Sequence, residues 1–269
     1  MRAFLVVLLI ATPSLLLPPV NSDTTQIVAL AAIFAAALTL FEYSATYPGL
    51  VEFRDAPPFN RIRFGATFLT VLTVTIICRG EADPGPVALF VKAVGLLIGQ
   101  VLDFPYSPVR LFVLMLPDGA DPDKAALLRS TAGLAYLLSI ISLAAFSIII
   151  RVRSWPLGNG TFNFWVNLPT FDPTAGGDLL GRLDRSSQIN IALGFLLPFL
   201  IPAMVKMSVL LFIPITLGAP QTLIWMVTAW AILPASLFMR GIALRRITEL
   251  IRQQRRRALP EGDTVFQPA

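Results

Sequence analysis

The chain contains no histidine and only one cysteine. Without histidine, it lacks the commonest haem ligand, the commonest metal ligand and the usual acid–base group of near-neutral pKa. The single Cys78 excludes an internal disulfide, a CxxC redox pair and any site in which several cysteines bind zinc or an iron–sulfur cluster. We therefore expect neither a cofactor nor a metal.

Charge is also scarce. Charged residues make up 14% of the 269 residues, apolar residues make up 55%, and the mean hydropathy is +0.73. A soluble domain carries about a quarter charged residues. The connections between apolar segments are too short for an independent soluble domain, so the composition predicts an integral membrane protein.

The apolar segments predict an all-α, polytopic transmembrane helix bundle with short loops. The predicted spans cover residues 3–20, 26–43, 64–78, 87–104, 130–150, 189–213 and 222–239. No A-x-A cleavage site follows the first segment, so we favour a retained span over a signal peptide. The sixth contains two prolines and Lys206. It either crosses as a kinked helix or dips in and returns near Pro202–Lys206.

Three connections carry features of their own. Val109–Leu116 is apolar but too short to cross, so we expect it at the membrane interface. Asp121-Pro122 is typical of an N-cap followed by proline at the first helical position, and predicts a long helix through Ile150. The aromatic-rich segment Thr161–Phe171 predicts a short strand or an interfacial patch.

The basic tail, residues 240–269, carries seven arginines and predicts a cytoplasmic carboxyl terminus. Placing the basic connections 45–63 and 105–129 on the same side gives the strongest charge bias. Three apolar segments separate residue 129 from the tail, so that arrangement requires residues 189–213 to re-enter. If all seven segments cross, the amino terminus lies outside and the bias is weaker. The sequence leaves both arrangements open.

Glu42, Lys92, Asp103 and Lys206 lie inside or at the edges of apolar segments. A charged group at bilayer depth is costly and is by default a candidate for function. These four residues could line a polar path or couple transport to an ion. The alternative is structural: the two carboxylates lie near span ends, and Lys92 can snorkel. Glu42 is a candidate partner for Lys92.

The fourth apolar segment has the most regular pattern. Ala88, Lys92, Gly95, Gly99 and Asp103 are spaced by three or four residues and share one helical face. Gly95 and Gly99 form a GxxxG motif, which allows two helices to pack closely. We expect this face to pack inside the protein or against a partner subunit.

The tail continues the pattern of a helix, with Leu244, Ile247 and Ile251 on one side. Arginines surround this side, and we expect them to contact anionic lipids. They are Arg245, Arg246, Arg252, Arg255, Arg256 and Arg257. Nucleic acid is not an expected partner.

Two segments, FEYSATYPGLVEFRDAPPFNRIRF (Phe41–Phe64) and LDFPYSPVRL (Leu102–Leu111), resemble polytopic inner-membrane proteins of alphaproteobacteria that have no assigned function. The resemblance implies a multi-pass protein of the bacterial inner membrane. It implies no site residue.

The sequence has no Walker A, GxSxG or HExxH motif. By elimination, the leading hypothesis is a non-catalytic accessory, assembly or scaffold subunit of a membrane complex, whose partners are lipids and other membrane subunits. The alternative is a small transporter or channel with the four charged residues along its path. A membrane enzyme would need polar side chains clustered in one pocket.

Overall fold

The computed structural model describes residues 1–18, 22–117, 119–153, 155–156, 162–169, 171, 178–211 and 219–258. Within these ranges the chain is helical and contains no strand. The helices are α1 (Arg2–Leu16), α2 (Ser22–Ser44), α3 (Phe59–Gly80), α4 (Pro86–Leu102), α5 (Pro108–Val113), α6 (Pro122–Val152), α7 (Phe164–Asn167), α8 (Leu179–Leu211) and α9 (Pro220–Ala258).

Five helices are long and apolar enough to cross a membrane: α2, α3, α6, α8 and α9. The other two apolar segments form α1 and α4, which have only 15 and 17 residues. A perpendicular crossing needs about 20 residues. The structure therefore confirms an all-α fold with several potential membrane spans, but it does not confirm seven of them.

Two buried clusters mark the two ends of the bundle. One joins the start of α3 to the last turns of α6 and to α9 near the tail, through Phe59, Ile150 and Leu244. The other joins the end of α3 to the first turns of α6 and α9, through Cys78, Leu128 and Leu223. Because the order is reversed along α3, this helix runs antiparallel to both α6 and α9.

Helix α8 is continuous through Pro202 and Lys206. A chain that turned back near Pro202–Lys206 would interrupt this helix, so the re-entrant alternative does not agree with the structure, which has one uninterrupted helix as far as Leu211. Near its start, the Ser187 hydroxyl donates to the Gly241 carbonyl at 2.8 Å, and further along the Trp230 indole donates to the Pro198 carbonyl at 2.9 Å. These contacts place α8 antiparallel to α9.

Helices α1 and α2 form a hairpin on one side of the bundle, in which α2 packs only on α1 among the described helices. The Arg2 guanidinium lies 4.1 Å from the centre of the Tyr43 ring, near the end of α2. At the other end of α1, the Ser14 hydroxyl accepts from the Gln221 amide at 3.1 Å. The short helix α1 therefore extends from the end of α2 to the start of α9.

Helix α4 stays at one end of the bundle. Ala88 lies against Gly80, the last residue of α3, and Gly99 contacts the Arg129 backbone early in α6. Just past α4, the Asp103 carboxylate accepts from Arg129 at 2.7 Å. A helix that crossed beside α3 would instead finish near Phe59. The prediction that residues 87–104 form a span is not supported by these contacts.

This placement differs from both arrangements considered from the sequence. Because α4 begins and ends at the same end of the bundle, the described residues of connection 105–129 lie opposite the tail, as they do if all seven segments cross. Connection 45–63 lies with the tail, as in the re-entrant arrangement, and so do the described residues of 151–187. The end that contains them, Arg2 and residues 240–258 is called the arginine-rich end below.

The distribution of cations is accordingly one-sided. Fifteen arginines and no lysine belong to the arginine-rich end: Arg2, Arg54, Arg61, Arg63, Arg151, Arg153, Arg182, Arg185, Arg240, Arg245, Arg246, Arg252, Arg255, Arg256 and Arg257. The opposite end has Arg79, Lys92, Arg110, Lys124, Arg129 and Lys206.

Two connections pack inward, contrary to expectation. Within Val109–Leu116, the short helix α5 buries Val109 and Phe112 completely in the cluster around Leu128, so this side of it belongs to the core. The described part of Thr161–Phe171 contains the one-turn helix α7 and no strand. Leu168 is fully buried there, whereas Trp165 is 48% exposed.

Helix α6 begins as the sequence predicts. The Asp121 carboxylate accepts from the Asp123 backbone N–H at 3.0 Å, and Pro122 occupies the first helical position. Proline fits there because its missing N–H would have no partner within the helix.

Candidate functional site: a polar cleft at the arginine-rich end

Glu42, near the end of α2, holds the loop between α2 and α3 in place. Its carboxylate accepts from the backbone N–H groups of Gly49, Leu50 and Val51 at 3.0 to 3.3 Å, and the residue is only 4% exposed. Arg54 donates to the Glu42 carbonyl at 3.0 Å. A carboxylate has enough lone pairs to accept several donors at once. Glu42 therefore fixes the loop, and it does not pair with Lys92 as the sequence suggested.

We predict that Glu42→Ala destabilises the protein by about 2 kcal/mol, because it leaves backbone donors without an acceptor. Thermal unfolding in detergent measures the change. Asp55→Ala is the matched control: it removes one carboxylate from the same loop, but that side chain is 60% exposed, and an exposed pair contributes little. Equal stability of the two variants would show that Glu42 does not hold the loop.

An aromatic cluster anchors the part of the loop that contains Phe53. The Phe53 ring lies 4.5 Å from Phe59 and 5.7 Å from Trp155, and Phe59 meets Phe146 edge-on at 5.6 Å. Phe53 also donates its backbone N–H to the Asn167 carbonyl at 2.7 Å. These contacts join the loop to α3, α6, Trp155 and α7, so the residues that follow Phe53 have a fixed position.

An ion pair fastens the same loop to α9. The Arg240 guanidinium binds both carboxylate oxygens of Glu52, at 2.5 and 2.7 Å, and also approaches the Ser186 hydroxyl at 3.4 Å. Bidentate pairing of this kind fixes orientation as well as distance. The two side chains are 23% and 13% exposed, so the ion pair is largely screened from water.

Beneath this pair lies the polar cleft, a cavity of about 520 Å³ between the α1–α2 hairpin, α3 and α9. A second cavity of about 410 Å³ is lined by five of the same residues, Val6, Thr39, Tyr43, Asn60 and Phe64, so the two cavities adjoin, and the name polar cleft covers both. Arginines stand around the upper part: Arg2, Arg54, Arg61 and Arg63.

The lower walls of the cleft are apolar. On α9 the cleft extends from Trp225 to Ser236, roughly 16 Å at 1.5 Å per residue. Val6 and Leu9 of α1 face this stretch. Leu233 is 57% exposed, so the cleft is open to the outside of the bundle beside this apolar side chain. The space is therefore cationic at one end and hydrocarbon-like along its length.

Two polar groups in the cleft have unused bonding capacity. Thr228 is 3% exposed, and its hydroxyl has no hydrogen-bond partner among the described residues. Arg63 lies 5.3 Å above the Phe59 ring, and its guanidinium makes no ion pair within 4.0 Å in the described part of the chain. Buried polar groups normally find partners. A bound molecule could supply them.

The four charged residues singled out from the sequence do not meet. Glu42 lies at the arginine-rich end under the loop. At the opposite end, Lys92 binds Glu81 at 2.6 Å, and Asp103, whose side chain is 8% exposed, binds Arg129 at 2.7 Å and Arg110 at 3.3 Å. Lys206 lies near the far end of α8 and forms no ion pair with a described residue.

The glycines of α4 lie at a close helix crossing. A Cβ atom at Gly95 would lie 3.1 Å from the Ser130 carbonyl oxygen, and one at Gly99 would lie 2.6 Å from that of Arg129. Gly133 on α6 faces Gly99 so closely that its Cβ would lie 2.5 Å from the Gly99 Cα atom. The whole face with Ala88, Lys92 and Asp103 is used inside the protein.

The tail is helical through Ala258, as the sequence indicated, but its apolar side is not free for lipid. Leu244 and Ile247 are buried in the cluster with Phe59, and Ile251 packs against them. Arg245 and Arg252 stay substantially exposed, at 68% and 46%. Residues 259–269 lie outside the described part of the chain, as does the Arg255 side chain. Arg256 and Arg257 are exposed.

In comparisons with known proteins, no family model, no curated protein and no solved structure matches this chain. Its function is therefore argued from its own residues. Sequence reasoning missed the cleft, because Glu52, Arg63 and Thr228 come from three separate elements. The available signal was the unusual density of arginine and aromatic residues between residues 52 and 64.

Proposed function

We propose that this protein is a non-catalytic membrane protein that holds an anionic amphiphile in the polar cleft. The observation that carries the proposal is the polarity of the two adjoining cavities: four arginines stand at one end, in excess of the carboxylates of Glu52 and Asp55, and mostly apolar side chains line the rest. A molecule with an acidic or phosphorylated head and a hydrocarbon tail matches both parts. Arginine is suited to the head because its planar guanidinium binds phosphate or carboxylate in a bidentate manner.

We place the protein in the inner membrane of a bacterium, with the arginine-rich end in the cytoplasm. Fifteen arginines at this end, against six cations at the other, support that orientation by the positive-inside rule. The head of the ligand then lies at the level of the cytoplasmic lipid head groups. A lipid could enter the cleft sideways, past Leu233, without leaving the bilayer.

Thr228→Val tests the ligand directly. Valine has nearly the same shape as threonine but no hydroxyl, so in an empty cleft the change removes an unsatisfied group and leaves stability equal or higher. Because Thr228 lies along the apolar part of the cleft, its partner in a bound amphiphile would be a hydroxyl or carbonyl group on the chain and not the acidic head, and the change removes that hydrogen bond. We expect roughly tenfold less ligand to be retained through purification, as measured by native mass spectrometry of the protein released from mild detergent.

Thr70→Val is the matched control for this experiment. The Thr70 hydroxyl is the other buried one without a partner among the described residues, but Thr70 does not line the cleft. It should retain the wild-type amount of ligand. Arg63→Gln should lose ligand as Thr228→Val does, whereas Arg79→Gln at the opposite end should not. Purification without any bound amphiphile, or identical retention in all four variants, would refute the proposal.

A second candidate is the accessory or scaffold subunit that the sequence suggested. Helix α2 favours it, because only 6% of its apolar window is buried, against 22% to 56% for the other four long helices. Its contact with the remaining helices is made through α1 alone. A stoichiometric membrane partner that co-purifies in mild detergent and is lost when Phe34 and Phe41 on the exposed side of α2 are changed to alanine would support this candidate.

The transporter alternative receives less support from the geometry. A polar path requires its charged residues to face one passage, whereas Glu42 is at one end and the other three are at the opposite end. Three of the four are occupied by structural contacts.

A further inference from the structure

A second cavity at the arginine-rich end is separate from the polar cleft. Helices α6 and α8 each pack on α9 but not on each other in the described part of the chain, and the space between them forms a groove of about 600 Å³. The arginine groove, as we name it, has an apolar floor and arginines at its mouth. It is lined by Ser147, Ile150, Arg151, Ile191, Phe238, Ile242, Arg245, Arg246 and Glu249.

The mouth of the groove has an excess of positive charge. Glu249 is its only carboxylate and lies 3.4 Å from Arg245 and 4.0 Å from Arg246. Arg246 also donates to the Trp155 carbonyl at 3.4 Å. Arg151, on the facing helix α6, is exposed and forms no ion pair with a described residue. Three guanidinium groups therefore stand at a mouth that has one carboxylate, which contacts two of them.

The floor continues away from this charge into the apolar part of the bundle. Phe238 and Ile242 are four residues apart and thus lie on one side of α9, with Ile150 and Ile191 on the flanking helices. A soluble anion would bind the arginines at the mouth and leave the apolar floor uncovered. An acyl chain fills such a floor, at about 0.8 kcal/mol for each buried methylene group.

We propose that the arginine groove binds an anionic phospholipid from the surrounding leaflet, with its phosphate between Arg151 and Arg245 and an acyl chain over Phe238 and Ile242. The argument for this occupant is charge complementarity at the mouth together with the apolar floor at bilayer depth. Basic pockets between membrane helices on the cytoplasmic side bind anionic lipid head groups for the same reason. The site shares no residue with the polar cleft.

The test uses the full chain in mild detergent and native mass spectrometry with two probes of equal acyl chain length, phosphatidylglycerol and phosphatidylcholine. The wild-type protein should bind phosphatidylglycerol selectively. Arg151→Gln combined with Arg245→Gln should weaken that binding about tenfold or more, while leaving the cleft ligand in place. Both side chains are exposed, so the variant keeps the buried contacts of Arg246.

Arg256→Gln combined with Arg257→Gln is the control, because it also removes two positive charges from the arginine-rich end, but from a part of α9 outside the groove. It should bind phosphatidylglycerol as the wild type does. Equal weakening in both double variants would mean that the whole basic surface attracts lipid, and unchanged binding in the groove variant would exclude the groove. Either result overturns the proposal.

Competition by glycerol phosphate identifies the source of the anion. If this soluble head group displaces phosphatidylglycerol at equal concentration, the site takes a soluble anion and the phospholipid proposal is wrong. The measurement needs only the wild-type protein, so it remains decisive if the groove variant folds poorly. If the wild-type protein retained no ligand in the polar cleft, in contrast, only the proposed function would be refuted and the groove proposal would stand.

Discussion

Gly133→Ala is expected to destabilise this protein, although alanine is the better helix former. Where no other atom lies close to a glycine inside a helix, replacing it with alanine stabilises the protein by about 1 kcal/mol. At Gly133, however, the new Cβ would lie 2.5 Å from the Cα atom and 2.7 Å from the nitrogen of Gly99. Both are backbone atoms, which cannot rotate away, so α4 and α6 must separate and lose contact along the crossing.

Overpacking of this kind costs about 1–3 kcal/mol, occasionally more. We expect the midpoint of thermal unfolding to fall by about 5 °C in detergent, and Gly133→Val to lower it further. Gly65→Ala provides the matched control. Gly65 also lies inside a helix, but a Cβ there would have nothing within 4 Å. It should raise the midpoint. If both alanine variants are stabilised, the α4–α6 crossing is not close.

The second large expected effect is the face of the membrane from which the two ends of α4 can be labelled. In a Cys78→Ala background, single cysteines at Ala82 and Phe104, before and after α4, should react with a membrane-impermeant maleimide from the same face of the membrane. A cysteine at Tyr47 should react only from the other face. The three positions are exposed in the structure. The expected difference is all or none, because the bilayer excludes the charged reagent.

With the arginine-rich end in the cytoplasm, Ala82→Cys and Phe104→Cys label in intact cells, and Tyr47→Cys labels only in inverted vesicles. Labelling of Ala82→Cys and Phe104→Cys from opposite faces would show that α4 crosses the membrane. Reversal of all three would keep the arrangement of helices but refute the proposed orientation. Each result is interpretable, because the native Cys78 is buried and has been replaced.

The sequence predicted the elements well and their arrangement poorly. Hydropathy located the helices, and Asp121-Pro122 located the start of α6. Composition alone could not distinguish α4 from a span, because a helix that lies across the end of a bundle can be as apolar as one that crosses. The contact that distinguishes the two is the ion pair of Asp103 with Arg129. Arg129 lies 26 residues further along the chain.

The candidate sites were hidden from the sequence for a related reason. Each intramembrane charge was visible individually, but whether it had a partner was not. Glu42 is bound by backbone N–H groups, which carry no sequence signal. The cleft depends on contact between the loop and α9 through Glu52 and Arg240, 188 residues apart. The tail arginines were recognised, but the groove also needs Arg151 from another helix.

The arginine-rich end of this fold contains no lysine. The only lysines, Lys92, Lys124 and Lys206, all belong to the opposite end, together with Arg79, Arg110 and Arg129. Amine chemistry on side chains, including acylation and most cross-linking, can therefore reach only that face. Guanidinium groups remain protonated at any physiological pH, and no histidine stands among them. The positive charge of the arginine face is thus permanent, whereas the other face carries every side chain whose charge an acyl group could remove.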